Sequence, residues 1–255
     1  MLDPNLLSRI NKKKVLYDVL LPLSSVANED IKSRIKLEWI YNSNAIEGNT
    51  LSLRETKQVL ETGITIGKKS LREHLEVINH RDAIEYVERL SQQAAIPKIS
   101  QVRQIHMLLL KGIDDHNAGM YRQTRVRILG AQHIPPDYPK VPRYMQSWAS
   151  WLRRAGKKLH PIELAAVAHY RFVAIHPFID GNGRTARLIM NLLLQQHGYP
   201  AAVILNKYKS QYYQVLSQAE CGTIEPLVNY VGRAVENSLL LFITANKSSQ
   251  STFDQ

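Results

Sequence analysis

Apolar positions recur three and four residues apart through most of the chain, which is the period of an amphipathic helix. Ile31, Ile35 and Trp39 fall on one such row and Gly48-Asn49 follows as a stop, predicting a helix over 29–47. Ser52-Leu53-Arg54-Glu55 and Ser70-Leu71-Arg72-Glu73 have the capping-box spacing, so one helix should run from Ser52 to Gly63 and a longer one from Ser70 through Leu75, Ile78, Tyr86 and Leu90. Pro97 breaks the pattern, and a further helix over 100–111 should close at Gly112. Helix is expected again from about Gln146, from Pro161 through Ala174, along Leu188, Leu192 and Leu193 to Gly198, over 209–219 and over 226–244, with a frayed tail at 247–255.

Only 121–144 departs from this period. Arg125-Val126-Arg127-Ile128 alternates polar and apolar residues, and His133-Ile134-Pro135-Pro136-Asp137-Tyr138-Pro139 is too rich in proline for helix. The pattern predicts a short β-hairpin flap on an otherwise all-α body. No repeat and no linker interrupts the chain.

Composition narrows the class. With 44% hydrophobic and 22% charged residues over 255 positions, the chain can bury a globular core. The most apolar N-terminal stretch, Val15 to Leu23, contains Asp18 and Pro22, so neither a membrane span nor a signal peptide is expected. Cys221 is the single cysteine, which excludes a disulfide framework and suits a reducing, cytoplasmic location. The net charge of +11 is spread over Lys12 to Lys14, Lys68-Lys69, Arg122 to Arg127 and Arg153 to Lys158. No long basic run with interleaved aromatics appears, so the charge reads as solvated helix faces and argues against nucleic acid as a partner.

The chemistry is concentrated at His176-Pro177-Phe178-Ile179-Asp180-Gly181-Asn182-Gly183-Arg184, between two apolar helices. Gly181 and Gly183 let the backbone bend and approach a ligand, and the following helix turns its free N–H groups toward the same spot. That arrangement binds anions. Arg184 and Arg187 share a face of the first turns, where two guanidinium groups oppose the helix dipole by up to about 1 kcal/mol each unless a multiply charged anion is present. A polyphosphate fits arginine forks. Asp180 is an oxygen donor suited to a magnesium ion bridging phosphates, and His176 is the group able to take a proton near neutrality.

These residues, with Arg187, resemble in full the signature of the Fic family, His-Pro-Phe-x-(Asp/Glu)-Gly-Asn-Gly-Arg-x-x-Arg. The resemblance implies a Fic-type helical bundle with an N-terminal helical inhibitory extension, divided as 1–95 for that extension, 96–235 for the catalytic core and 236–255 for the last helix end and tail. It implies a protein adenylyltransferase that uses Mg2+ and ATP to place AMP on a Ser, Thr or Tyr hydroxyl of a target protein, the chain itself included. His176 would be the base, Asp180 the metal ligand, Gly181, Asn182 and Gly183 the phosphate cradle, and Arg184 and Arg187 the outer phosphate ligands. The related Doc kinases carry lysine at the position of Gly183, so glycine there points to AMP transfer. Tyr213 would pack near the base, while Glu220 stands where many relatives have asparagine and leaves base selectivity open. Gly119-Met120-Tyr121-Arg122 with Val126 and Ile128 resembles the family's target-docking flap, with Ile134 as a clamp.

Ser43-Asn44-Ala45-Ile46-Glu47-Gly48-Asn49 resembles a second family signature, (Ser/Thr)-x-x-x-Glu-(Gly/Asn), found on an inhibitory helix. Independently of that, Ser43 and Glu47 lie one turn apart and Glu47 sits at a helix C-terminus, where the dipole disfavours an anion and a cation is wanted. The resemblance names Arg187 as that cation, so that Glu47 would exclude the γ-phosphate. The alternatives are removal of AMP from modified protein by way of Glu47, and a non-enzymatic nucleic-acid-binding regulator; too few residues follow Val235 for the winged helix some larger relatives append. Self-association is compatible with all three readings.

Overall fold

A computed structural model of the chain describes residues 1–20, 26–93, 95–128 and 133–251. Ten α-helices occur among them: α1 (Pro4–Leu20), α2 (Val26–Ile46), α3 (Leu53–Thr62), α4 (Leu71–Ser91), α5 (Ile99–Leu110), α6 (Val141–Ala155), α7 (Pro161–Ile175), α8 (Asn182–Gln196), α9 (Lys209–Glu220) and α10 (Glu225–Ser251). No helix among the described residues is long and apolar enough to cross a membrane.

The helix α8 is the axis of the molecule. Its side chains from Leu188 through Leu194 are all buried, so it must be covered on every side. α7 lies against it, α4 and α5 cover another flank, and α2 crosses α4 and reaches α8. Phe172 and Phe178 are fully buried where α7 turns into α8. Each contributes on the order of 1.5–3 kcal/mol by burial and holds the loop between the two helices in place. α10 spans α1, α2, α7 and α9 and binds the N-terminal helices to the core.

Both predicted capping boxes form. Ser52 accepts from the Glu55 N–H while the Glu55 carboxylate takes the Ser52 N–H at 2.7 Å. Ser70 and Glu73 do the same at the start of α4, with Ser70 N–H to Glu73 Oε2 at 2.9 Å. Glu73 also accepts from the backbone and hydroxyl of Thr50, and the Thr50 hydroxyl and Ser70 N–H together pull its carboxyl down to about 2.

Three expectations are corrected. α1 was not legible as a helix, yet Leu6, Ile10 and Tyr17 form a buried stripe against α10. Helix resumes at Val141 and not near Gln146, because Pro142 sits in its first turn, where a missing N–H costs nothing. α10 continues to Ser251, into the stretch expected to fray. The β-hairpin is also absent as paired strands among the described residues: 121–128, with a bend at Gln123-Thr124, and 133–137 form no ladder, and 129–132 lie outside the described residues. Pro135 and Pro136 have no N–H to offer a ladder, and the Arg122 guanidinium ties the two arms instead, donating to the carbonyls of Thr124 and Pro136.

Replacing Ser70 with Ala should lower stability by about 1 kcal/mol, read as a lower urea midpoint at unchanged slope. Because the folded-state Glu73 carboxyl lies below its unfolded value, its contribution is present above about pH 4.5 and lost as pH falls toward 2, so the Ser70→Ala difference should shrink over that window. An equal difference at pH 7 and pH 2.5 would contradict this.

Candidate active site

The turn from α7 into α8 is built by side chains that bond backbone. His176 ends α7 in the left-handed region, at φ 50°, with its N–H to the Phe172 carbonyl at 3.0 Å. That conformation disfavours a non-glycine residue, and its persistence shows how firmly the turn is held. Arg122 donates to the His176 carbonyl at 2.8 Å, and its own N–H goes to Pro177 O at 2.9 Å. The Asn182 side chain clamps Phe178 from both sides, accepting from its N–H at 3.0 Å and donating to its carbonyl at 2.9 Å. Beneath them the His106 ring stacks on Phe178 at 3.6 Å and reaches the Asp180 carbonyl at 2.9 Å. A Cβ at Gly181 would meet that imidazole at 3.2 Å, and the φ of +72° there adds a second reason for glycine.

Gly181 caps α8, so the N–H groups of Asn182, Gly183 and Arg184 precede the first helical acceptor and face the turn. A cavity of about 480 Å3 opens beside them. Glu47, His176, Gly183, Arg187, Tyr213 and Glu220 line it, with Ile128 of the flap. Val126 and Ile134 border a neighbouring surface groove with Arg122 and Pro136, and Ile134 is exposed.

The charged groups of the loop and Glu47 are paired. Arg187, only 2% exposed, donates to the Ser43 hydroxyl at 3.0 Å, the Ser43 carbonyl at 2.8 Å and Glu47 Oε1 at 2.8 Å. Burial opposes its charge, but Glu47 and Tyr212 together raise its pKa. The Glu47 carboxylate also covers the start of α8: a Cβ on Gly183 would run into it. Gly48, at φ +103°, and Asn49 turn the chain away from the site, and Asn49 fastens that turn to α4 through Glu73 O and Glu76 Oε2 at 3.0 and 2.9 Å. Arg184 is fully buried away from the cavity, 3.3 Å from Glu76 and 3.5 Å from Asp180. Asp180 accepts from the Gly181 N–H and from Arg72, each at 2.6 Å. Burial works to raise the Asp180 carboxyl, yet Arg184, the Gly181 N–H and Arg72 together pull it below its ordinary value.

Sequence reasoning missed Arg72, Glu76 and His106 as neighbours of the loop. It also missed Tyr212, which lines the cavity and pairs with buried His169 at 2.8 Å. Arg72 and Glu76 left one trace, their one-turn spacing, which any surface ion pair shares. Burial, opposed by the Val173 carbonyl, holds His176 down at about 4, so its imidazole is neutral at pH 7 and able to accept a proton.

A helix start with free N–H groups, a neutral imidazole and a carboxylate come together around one cavity of a helical bundle. The Fic/DOC family profile matches residues 97–194. A Fic-domain signaling protein from Bacteroides thetaiotaomicron superposes with a TM-score of 0.89 at 33% identity, covering 94% of this chain and 97% of that one. Fic-1 of C. elegans gives 0.85 at 33%, covering 94% and 72%. Protein adenylyltransferase Fic of Nematostella vectensis is 36% identical over 96% of this chain and 57% of its own length, and that of Drosophila mojavensis 35% over 96% and 48%. The chain belongs to the Fic family. It spans about half the length of the curated relatives it matches.

Burial depresses His176 and His106 to about 4 and His169 to about 3. Their unfolded values lie near 6.5, so the unfolded chain binds more protons between about pH 6.5 and 4. Stability should be full above that window and fall on acidification through it, read as a lower urea midpoint at pH 5 than at pH 7.5. Equal midpoints would refute the assignment of neutral buried imidazoles.

Proposed function

We propose that the chain is a protein adenylyltransferase whose resting state is blocked by its own Glu47. The observation that carries the reading is the 2.8 Å pair between Glu47 and Arg187 over Gly183, which puts a carboxylate on the cation that an ATP phosphate would use. In the open state, His176 takes the proton of a target Ser, Thr or Tyr hydroxyl, whose oxygen attacks the α-phosphorus of ATP. The bond from that phosphorus to the β-phosphate oxygen breaks, and pyrophosphate leaves. The N–H groups at the start of α8 and Arg187 stabilise the charge that develops on the phosphates. Tyr213 and Glu220, which line the same cavity, receive the nucleoside.

Asp180 fits a magnesium ion. Among the described residues no three carboxylate, imidazole or thiol groups come together, and Mg2+ is commonly held by one or two carboxylates with phosphate oxygens and water. When bound it would neutralise phosphate charge. The extended arms bearing Val126, Ile128 and Ile134 are the surface for a target segment of another protein or a second copy of this chain. Nucleic acid has no part in this reading, and the lone exposed Cys221 accords with a reducing, cytoplasmic setting.

A second reading rests on the same contact. Glu47 shares the cavity with His176, so it can also hold a water for removal of AMP from modified protein. Incubation with magnesium and α-labelled ATP in lysate should label protein with Glu47→Gly, weakly with wild type, and not with Glu47→Gly/His176→Ala, since a general base is worth ~10²–10⁴-fold. If Glu47→Gly labels nothing but loses hydrolysis of AMP-protein that wild type performs, removal replaces transfer as the activity.

A further inference from the structure

The loop and the first turns of α8 carry three charged groups of the family signature, and each meets a side chain from the N-terminal helices. Arg187 meets Glu47, Arg184 meets Glu76, and Asp180 meets Arg72. The first two pairings put carboxylates against guanidinium groups that phosphates would attract. The third is opposite in sign: a cation against the carboxylate that fits a metal ion.

Arg72 is built for that position. It is the second residue of α4, so the Ser70/Glu73 capping box fixes its backbone. Its Nε donates to Glu76 Oε1 at 3.2 Å, which aims the guanidinium, and an outer nitrogen reaches Asp180 Oδ2 at 2.6 Å. The other carboxylate oxygen, Oδ1, is taken by the Gly181 N–H. Oδ2 is therefore the oxygen that both Arg72 and an incoming cation would use. The Arg72 side chain is 55% exposed, so it has room to swing into solvent, unlike Arg184, which is locked at 2%.

We infer that Arg72 is a stand-in for the catalytic metal, a positioning residue that keeps the Asp180 carboxylate charged and aimed while no cation is bound. A divalent ion at Asp180 and a guanidinium on the same carboxylate repel each other, so the two occupancies compete. Arg72 thereby sets how much metal the site requires. The competition is tied to the brake, because Asn49, two residues past Glu47, is fastened to Glu76 and to the Glu73 carbonyl in the same first turns of α4. The inference rests on the proposed function in so far as Asp180 is the metal ligand.

The test uses the full chain carrying Glu47→Gly, saturating ADP and Mn2+ as the probe, with free Mn2+ read by electron paramagnetic resonance. Arg72→Met keeps the stem and removes the charge; Arg72→Lys keeps a charge. Mn2+ half-saturation should fall about tenfold with Arg72→Met, within the usual range of coupling between two sites, and stay within about twofold with Arg72→Lys. ADP affinity in EDTA should not fall with Arg72→Met. Unchanged Mn2+ affinity in Arg72→Met, at an unchanged thermal midpoint, overturns the inference while leaving the transferase reading intact. So does weaker ADP binding in EDTA, which would make Arg72 a phosphate ligand. Absence of any Mn2+–ADP binding with Glu47→Gly alone overturns both.

Discussion

The structure depends on one constraint: a guanidinium buried to 2% exposure has to be met by an anion and by hydrogen-bond acceptors. Arg187 projects from the second turn of α8, which α2, α4, α5 and α7 cover, and its guanidinium is almost wholly shielded from water. Glu47 and Ser43 supply what it needs from one turn of α2. This contact joins the N-terminal helices to α8. Removing only one partner would leave a buried charge unpaired unless something else takes its place. Under the proposed function, an ATP phosphate would be that replacement.

The remaining charges follow the same logic around it. Asp180, Arg184, Glu76 and Arg72 form a closed set of two anions and two cations at the start of α4 and α8. Asn49 links the set to the turn after Glu47. The N-terminal helices thus present to the loop two carboxylates and a guanidinium. Neutralised in this way, the cationic helix start is tolerated without ligand.

The uncharged scaffold supplies precision. Arg122, Asn182 and His106 each bond the backbone of the turn, and Phe178 anchors it in the core. That is why His176 keeps a left-handed conformation that L-residues avoid, and why its imidazole, half surrounded by protein, stays neutral. Rigidity here holds His176 and the N–H groups at the start of α8 beside the cavity.

By itself the sequence determined what is local. Helical periodicity, the Ser52/Glu55 and Ser70/Glu73 boxes, the glycine pattern around His176 and the one-turn spacing of Ser43 and Glu47 all act within a few residues, where spacing is geometry. α1 escaped because its stripe of Leu6, Ile10 and Tyr17 is sparse among polar residues and finds its partner in α10, more than 200 positions away. The hairpin was misjudged because alternation describes a strand but cannot say whether a second strand will pair; Arg122 and two prolines took that role instead. Which cation answers Glu47, and that Arg72 answers Asp180 across 108 positions, only tertiary packing decided. Electrostatic pairing depends on distance in space, and the chain brings those groups together only when α2, α4 and α8 bury their apolar faces against one another.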